Sequence, residues 1–133
     1  MRLLLLVSVG LGRVLCEAPP PLPTRVVVAD GATETERWAA GRLADLLVLP
    51  VVVDSDRVVA AGMAQIAVGH GAATALGVPP GALTNLDDDS YLVSTAHGVP
   101  AGSVAIASSP GSARGSIHGA FAFLRALGFE FYA

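Results

Sequence analysis

Residues 103–133 read SVAIASSPGSARGSIHGAFAFLRALGFEFYA, and this stretch decides the predicted fold. Its pattern predicts a strand over residues 103–107, a turn rich in Gly, Ser and Pro, an amphipathic helix over residues 113–127, and a final strand over residues 129–133. Gly128 follows the helix at the position where a left-handed glycine commonly ends one. At about 100° per residue, one face of this helix is apolar, and it comprises Ile117, Ala120, Phe121, Leu124 and Leu127.

The preceding part of the chain alternates short apolar strands with helices. Thr33 and Glu36 form a capping-box pattern, which predicts a helix over residues 34–48 that Pro50 ends. A short helix is predicted over residues 72–76. Strands are predicted over residues 25–29, 51–53, 65–69, 90–95 and 103–107, the last two paired as a hairpin. This order predicts the α+β class, with a mixed β-sheet covered by two main helices. The helical side chains predicted to be buried are Leu43, Leu46, Ile117, Phe121 and Leu124.

Length and composition restrict the possible functions. At 133 residues the chain forms one domain, and it is too short to hold an eightfold catalytic barrel of about 250 residues as well. Charged residues make up 14% of the chain, below the usual share of about a quarter. This composition predicts an unusually apolar surface, which suits a module that docks against another domain. The net charge of −3 argues against nucleic-acid binding, because phosphate contacts need clustered cations.

The N-terminal segment resembles a targeting sequence rather than part of a domain. A positive charge followed by an apolar run predicts a secretory signal peptide over residues 1–16, and hence a secreted protein. The run is too short to span a bilayer, so no membrane association is expected after cleavage. Residues 17–23 form a Pro-rich linker, with a ligand for a proline-recognition domain as the alternative. The domain itself is predicted to occupy residues 24–133.

A glycine-flanked histidine follows the third predicted strand. Gly69 and Gly71 enclose His70 as in a nucleotide-binding turn, but Thr74 stands where the dinucleotide fingerprint needs its third glycine. A tight strand-to-helix turn is therefore the favoured interpretation, and no cofactor is predicted.

Acidic residues and histidines show no complete metal site. The aspartates at residues 87–89 predict a solvated acidic turn, because the spacing of a calcium-binding loop is absent. The chain has three histidines, His70, His97 and His118. Their spacing is not that of a zinc site. No metal-ligating residue is therefore predicted.

The sequence has two candidate pairs of carboxylates for cleaving a glycosidic bond, and neither pair meets the requirements of such a site. Such enzymes need two carboxyl groups that flank one bond. Glu34 and Glu36 diverge on their helix. Asp54 and Asp56 share a turn, but no sugar-stacking aromatic residue accompanies them. Trp38 is predicted to pack rather than to bind sugar. No catalytic residue is predicted in this chain.

Several of these motifs, taken in order, resemble a known domain. They include residues 26–28 with Gly31-Ala32, residues 66–69, and the ending in which a Gly-containing helix from Arg114-Gly115 is followed by Leu127-Gly128-Phe129. Together they resemble the non-catalytic domain that precedes the barrel in α-glucuronidases and β-N-acetylhexosaminidases (hexosaminidase domain 2-like). The resemblance spans residues 24–132. It implies a layout similar to zinc-peptidase folds without the metal ligands, with the catalytic residues in the barrel that follows.

The resemblance implies an accessory role in carbohydrate metabolism. The chain is expected to be an inactive fragment of a secreted, α-glucuronidase-like glycoside hydrolase. Its expected partner is a C-terminal catalytic barrel, and carbohydrate is a second candidate partner. The alternative is a stand-alone secreted module that binds glycan or protein. The residues expected to form the docking surface are Arg114, His118, Arg125, Phe131 and Tyr132.

Overall fold

A computed structural model describes residues 3–6, 22–53, 63–84, 89–95, 99–110, 112 and 114–131. In these residues six strands form one mixed sheet, in the order β1-β5-β6-β4-β2-β3. The strands are β1 Leu3–Leu6, β2 Val26–Val28, β3 Val51–Val53, β4 Ile66–Val68, β5 Tyr91–Ser94 and β6 Val104–Ala107. The helices are α1 Glu34–Leu47, α2 His70–Leu76 and α3 Gly115–Ala126, with a short 3-10 helix at Pro80–Ala82. The predicted α+β class and the mixed sheet are confirmed.

The strands divide the sheet into a parallel part and a hairpin. The parallel part is β3, β2, β4 and β6, which pair side by side. The predicted hairpin is present, because β5 runs antiparallel to β6 with Val93 opposite Ile106. The edge strand β1 lies parallel to β5, with Leu3 opposite Tyr91. This edge strand comes from the segment predicted to be a signal peptide.

Both faces of the sheet are covered by helices. Alternate side chains of a strand point to opposite faces, so each inner strand contributes to two cores. Val26 and Val28 face α1 and α3, whereas Val27 faces α2. This double coverage explains why the inner strands are continuous apolar runs without polar alternation.

Helix α3 turns a different face to the sheet than its apolar periodicity predicts. Leu124 is fully buried as predicted, but Ile117 and Phe121 are only partly buried and Leu127 is 52% exposed. A Cβ added to Gly119 would lie 2.8 Å from Ile106 Cγ2, so the backbone of α3 approaches the sheet closely there. Apart from Leu124, the residues that α3 buries are all small. They are Gly115, Ser116, Gly119 and Ala120. The bulky side chains lie at the boundary with α1 instead. Leu46 in α1 is likewise only partly buried.

The prediction of a strand after α3 is wrong for residues 129–131, which do not form a strand. Residues 132–133 of that prediction lie outside the described residues. Gly128 adopts φ +101°, as expected of the glycine that ends a helix. Its N–H donates to the Arg125 carbonyl and the N–H of Phe129 donates to the Leu124 carbonyl, both at 3.0 Å. This Schellman motif turns the chain back along the helix, and Phe131 packs on Phe121.

Candidate functional site

A crevice lies where two adjacent parallel strands send their chains to opposite faces of the sheet. The chain leaves the carboxyl end of β2 into α1 on one face, and it leaves the carboxyl end of β4 into α2 on the other. Crevices of this kind, at the carboxyl ends of strands where the connections diverge, are the usual ligand sites of open parallel sheets. The sequence did not single out this place, because it depends on strand order.

Glu36 enters this crevice from the first turn of α1. The predicted capping box is present, since the Glu36 N–H donates to Thr33 Oγ1 at 3.2 Å. The Glu36 carboxylate accepts hydrogen bonds from the backbone N–H groups of His70 and Thr33. Glu36 is only 9% exposed. Burial raises the pKa of this carboxyl group, and the N–H donors and the nearby His70 side chain oppose that rise in part. Glu36 therefore joins the starts of α1 and α2 rather than capping α1 alone.

The turn at the end of β4 brings backbone close to these groups. Gly69 adopts φ +98°, and a Cβ on it would overlap the Glu36 carboxylate. A Cβ on Gly71 would lie 2.9 Å from the Ala29 Cβ, so the start of α2 packs tightly against the end of β2. Both glycines are required by these contacts, and a tight strand-to-helix turn is indeed what the structure has.

His70 carries a buried nitrogen atom without a partner. Its Nδ1 atom has no hydrogen-bond partner among the described residues. The backbone of His70 is well held, because its carbonyl accepts from Thr74 Oγ1 at 2.8 Å. An unsatisfied buried polar atom costs free energy, so its retention calls for an explanation.

The crevice has a volume of about 300 Å³. Its lining comprises Ala29, Gly31, Ala32, Thr33, Glu36, His70, Gly71 and Pro110. This lining offers a carboxylate, an imidazole and a hydroxyl group on an otherwise small and apolar wall. In the described part of the chain no three His, Cys, Asp or Glu residues come together as metal ligands. The arrangement therefore suits hydrogen bonding to a small molecule.

Two of the expected docking residues, Arg114 and His118, approach the same acidic side chain. Arg114 Nε lies 2.9 Å from Asp89 Oδ1, and His118 Nε2 lies 3.9 Å from the same oxygen. Asp89 belongs to the acidic turn that was predicted to be solvated, and it is half exposed here. Because Asp89 pairs with Arg114, the cationic stripe of α3 is partly neutralised.

The other expected docking residues lie towards the end of α3. Arg125 is exposed on the helix, and Phe131 is 37% exposed while packing edge-on against Phe121 at 4.9 Å between ring centroids. Tyr132 lies outside the described residues. Trp38, which was expected to pack, is 49% exposed and lies 6.2 Å from the Phe121 ring. Trp38, Phe121 and Phe131 thus form a half-exposed aromatic cluster between α1 and α3.

Several other sequence candidates cannot be placed. His97, the pair Asp54 and Asp56, and residues 87–88 lie outside the described residues. Glu34 and Glu36 diverge as predicted, since Glu34 is exposed and Glu36 is buried. Sequence reasoning missed the meeting of Glu36 with His70. The available signals were a capping glutamate and a Gly-His-Gly turn, each of which has an ordinary structural explanation.

The chain was compared with protein families, curated proteins and solved structures. No family model matches the sequence, and no curated protein or solved structure matches it significantly. The resemblance to the glycoside hydrolase domain thus rests on the order of the sequence motifs. Among the helices of the described residues, none combines the length and the apolar character needed to cross a membrane.

Proposed function

We propose that the chain is a non-catalytic accessory domain of a secreted, α-glucuronidase-like glycoside hydrolase. In this role it docks against a catalytic barrel that follows it in the full-length enzyme. The observation that carries the proposal is the apolar surface at the end of α3. There Leu127 and Phe131 are exposed, and Phe131 packs on Phe121, whose ring lies 6.2 Å from the half-exposed ring of Trp38. Exposed apolar patches rimmed by polar residues are typical of protein interfaces.

The charges around this surface fit an interface within one protein. Arg125 lies two residues before Leu127 and is exposed. Arg114 and His118, which share a face of α3 with Arg125 at helical spacing, are already held by Asp89. A polar rim that includes the exposed cation Arg125 around an apolar centre matches the usual anatomy of a docking interface.

The docking role is tested by association of the isolated chain. We expect light scattering with size-exclusion chromatography to show a mass that rises with concentration, because the apolar surface lacks its partner. F131S should reduce this association, since it removes an aromatic ring from the surface. V53T is the matched control, because it changes an exposed apolar side chain of the distant edge strand β3. A chain that stays monomeric at high concentration would contradict the docking role.

The expected inactivity and the fragment hypothesis have direct tests as well. Purified chain should not hydrolyse aryl α-glucuronides or aryl N-acetylhexosaminides, and turnover of either substrate would contradict a non-catalytic role. The reading frame downstream of Ala133 should encode a barrel with paired carboxylates. A stop codon directly after Ala133 would instead favour a stand-alone module.

A glycan-binding module is the second candidate function, and the exposure of Trp38 favours it. Trp38 forms a shallow groove of about 330 Å³ with Glu34, Thr35 and Ile117. An exposed indole with a carboxylate and a hydroxyl beside it can stack on a sugar ring and hydrogen-bond its hydroxyl groups. Trp38 is the single tryptophan, so the tryptophan fluorescence of the chain reports on the surroundings of this one side chain. A saturable fluorescence change with chitotriose or with glucuronoxylan fragments would support the glycan-binding module, and no change would argue against it.

A further inference from the structure

We propose that the outer edge of β5 is a docking site for an extended apolar strand of another polypeptide, and that β1 shields this edge in the full chain. Removal of residues 1–16, which belongs to the proposed secretion, would open the edge. The edge is separate from the surface of Leu127, Phe131 and Trp38, so its use does not depend on the docking of a catalytic barrel.

The pairing of β1 shows what this edge accepts. β1 runs parallel to β5 over four residues, from Leu3 opposite Tyr91 to Leu6 opposite Ser94. On its other side β5 pairs with β6. β1 therefore extends the sheet in the way that a bound peptide strand does in complexes formed by strand addition. In such complexes the backbone hydrogen bonds provide affinity, and the side chains provide specificity.

The surroundings of β5 select an apolar strand. Tyr91 and Val93 belong to the core under α1 and α3, whereas Leu92 belongs to the core under α2. A strand added beside β5 places alternate side chains next to these two cores, so an uninterrupted apolar run suits it best. β1 meets this requirement, because all four of its residues are leucines. The expected partner is therefore an apolar segment of at least four residues without proline.

The two edges of the sheet differ in how they resist such pairing. Proteins commonly protect an edge strand by keeping it short or by placing proline or charged residues on it. β3 fits this description, since it has three residues and directly follows Pro50. β5 contains neither proline nor a charged residue. Without β1, β5 would present unpaired N–H and C=O groups on an unprotected edge, which favours the addition of another strand.

The experiment is an NMR titration of the full-length variant L4P/L5P, in which proline removes two backbone N–H groups and stops β1 from pairing. The probe is a synthetic peptide of residues 1–8 with two arginines added at its C-terminus for solubility. We expect saturable shifts at the amides of Tyr91–Ser94 and none at those of Val51–Val53. The same peptide carrying L4P and L5P is the matched control and should not bind. No saturable shift in β5, or equal binding of both peptides, would overturn the proposal.

The wild-type chain tests the shielding by β1. Its tethered β1 competes at an effective concentration on the order of millimolar, so the peptide should bind at least about tenfold more weakly than to L4P/L5P. Equal affinities would overturn the shielding. If L4P/L5P does not fold, a full chain with a protease site inserted after Cys16 decides. After cleavage of the folded chain, residues 1–16 should stay bound and exchange with excess peptide, and immediate separation or a lack of exchange would overturn the proposal.

Discussion

Val48 adopts a backbone conformation that a β-branched residue normally avoids. It ends α1 with φ +56° and ψ +52°, and its N–H donates to the Ala44 carbonyl. The next N–H, of Leu49, donates to the same carbonyl at 2.9 Å. A left-handed conformation costs about 1–2 kcal/mol for a residue with a Cβ. The side chain is 88% exposed, so no packing offsets this cost.

V48G should therefore stabilise the protein by about 1 kcal/mol, because glycine adopts a positive φ without steric cost. Urea denaturation followed by circular dichroism measures the free energy of unfolding. V53G is the matched control, since it makes the same change at an exposed residue of β3, and it should be destabilising by about 0.5–1 kcal/mol. A loss of stability in V48G would contradict the strain argument.

Glu36 makes stability depend on pH in a direction that is unusual for a carboxyl group. Burial raises the pKa of Glu36 in the folded chain above the ordinary value of 4.5 that applies to the unfolded chain. The folded state thus binds this proton more tightly than the unfolded state does. The stabilisation that protonated Glu36 provides is complete below the unfolded pKa, and it is lost as the pH rises through the folded pKa.

Comparison of wild type with E36Q should reveal this contribution. As the pH rises above about 4.5, wild type should lose free energy of unfolding relative to E36Q, which cannot ionise at this position. Urea titrations at a series of pH values measure the difference. E34Q controls for removal of a charge from the same helical turn. A difference that is constant with pH, or that changes in the opposite direction, would argue against a raised pKa.

At the scale of elements, α3 is positioned by its small residues. Its glycines and serines allow the helix backbone to approach β5 and β6, and Ser108 Oγ and Ser116 Oγ hydrogen-bond at 3.2 Å between sheet and helix. A Cβ on Gly119 would also lie 3.2 Å from the Tyr91 Cβ. The close approach leaves Ile117 and Phe121 to pack at the boundary with α1.

Two glycine-to-alanine variants test this arrangement. G119A should be destabilising by about 1–3 kcal/mol through overpacking, which exceeds the gain in helix propensity. G41A lies inside α1 with open space around it, so it should stabilise by about 0.8–1 kcal/mol. Thermal or urea unfolding of both variants measures the contrast. If both changes stabilise the protein, α3 does not approach the sheet as closely as described.

At the scale of the whole molecule, the outer strand β1 contributes backbone pairing to one edge of the sheet. It pairs with β5 over four residues. The same edge would be exposed by the predicted signal cleavage after Cys16, because cleavage removes Leu3–Leu6.

A chain that begins at Glu17 keeps the pairing of β2 to β6 with one another and should still fold, but it should lose protection in β5. Hydrogen–deuterium exchange read by mass spectrometry should show faster exchange of the β5 amides and unchanged exchange in β4, which pairs with β2 and β6. The full chain is the control. Loss of cooperative unfolding in the shortened chain would show instead that β1 belongs to the folding unit.

The sequence by itself determined the class and most of the elements. Three consecutive valines in β2, the capping box at Thr33 and the glycine at position 128 each act through local chemistry, so periodicity and capping rules were sufficient to predict them. The apolar arc of α3 was less informative. Leu124 is buried as predicted, but the close contact of Gly119 with Ile106 rotates the buried face towards the small residues.

Only the tertiary structure decided the candidate site. Glu36 and His70 are 34 positions apart, and each has an ordinary local role, as a capping residue and as the start of a short helix. They meet because β4 pairs with β2 and not with β3, and because α1 and α2 cover opposite faces. Strand order depends on contacts between distant parts of the chain, and a local pattern carries no record of those contacts.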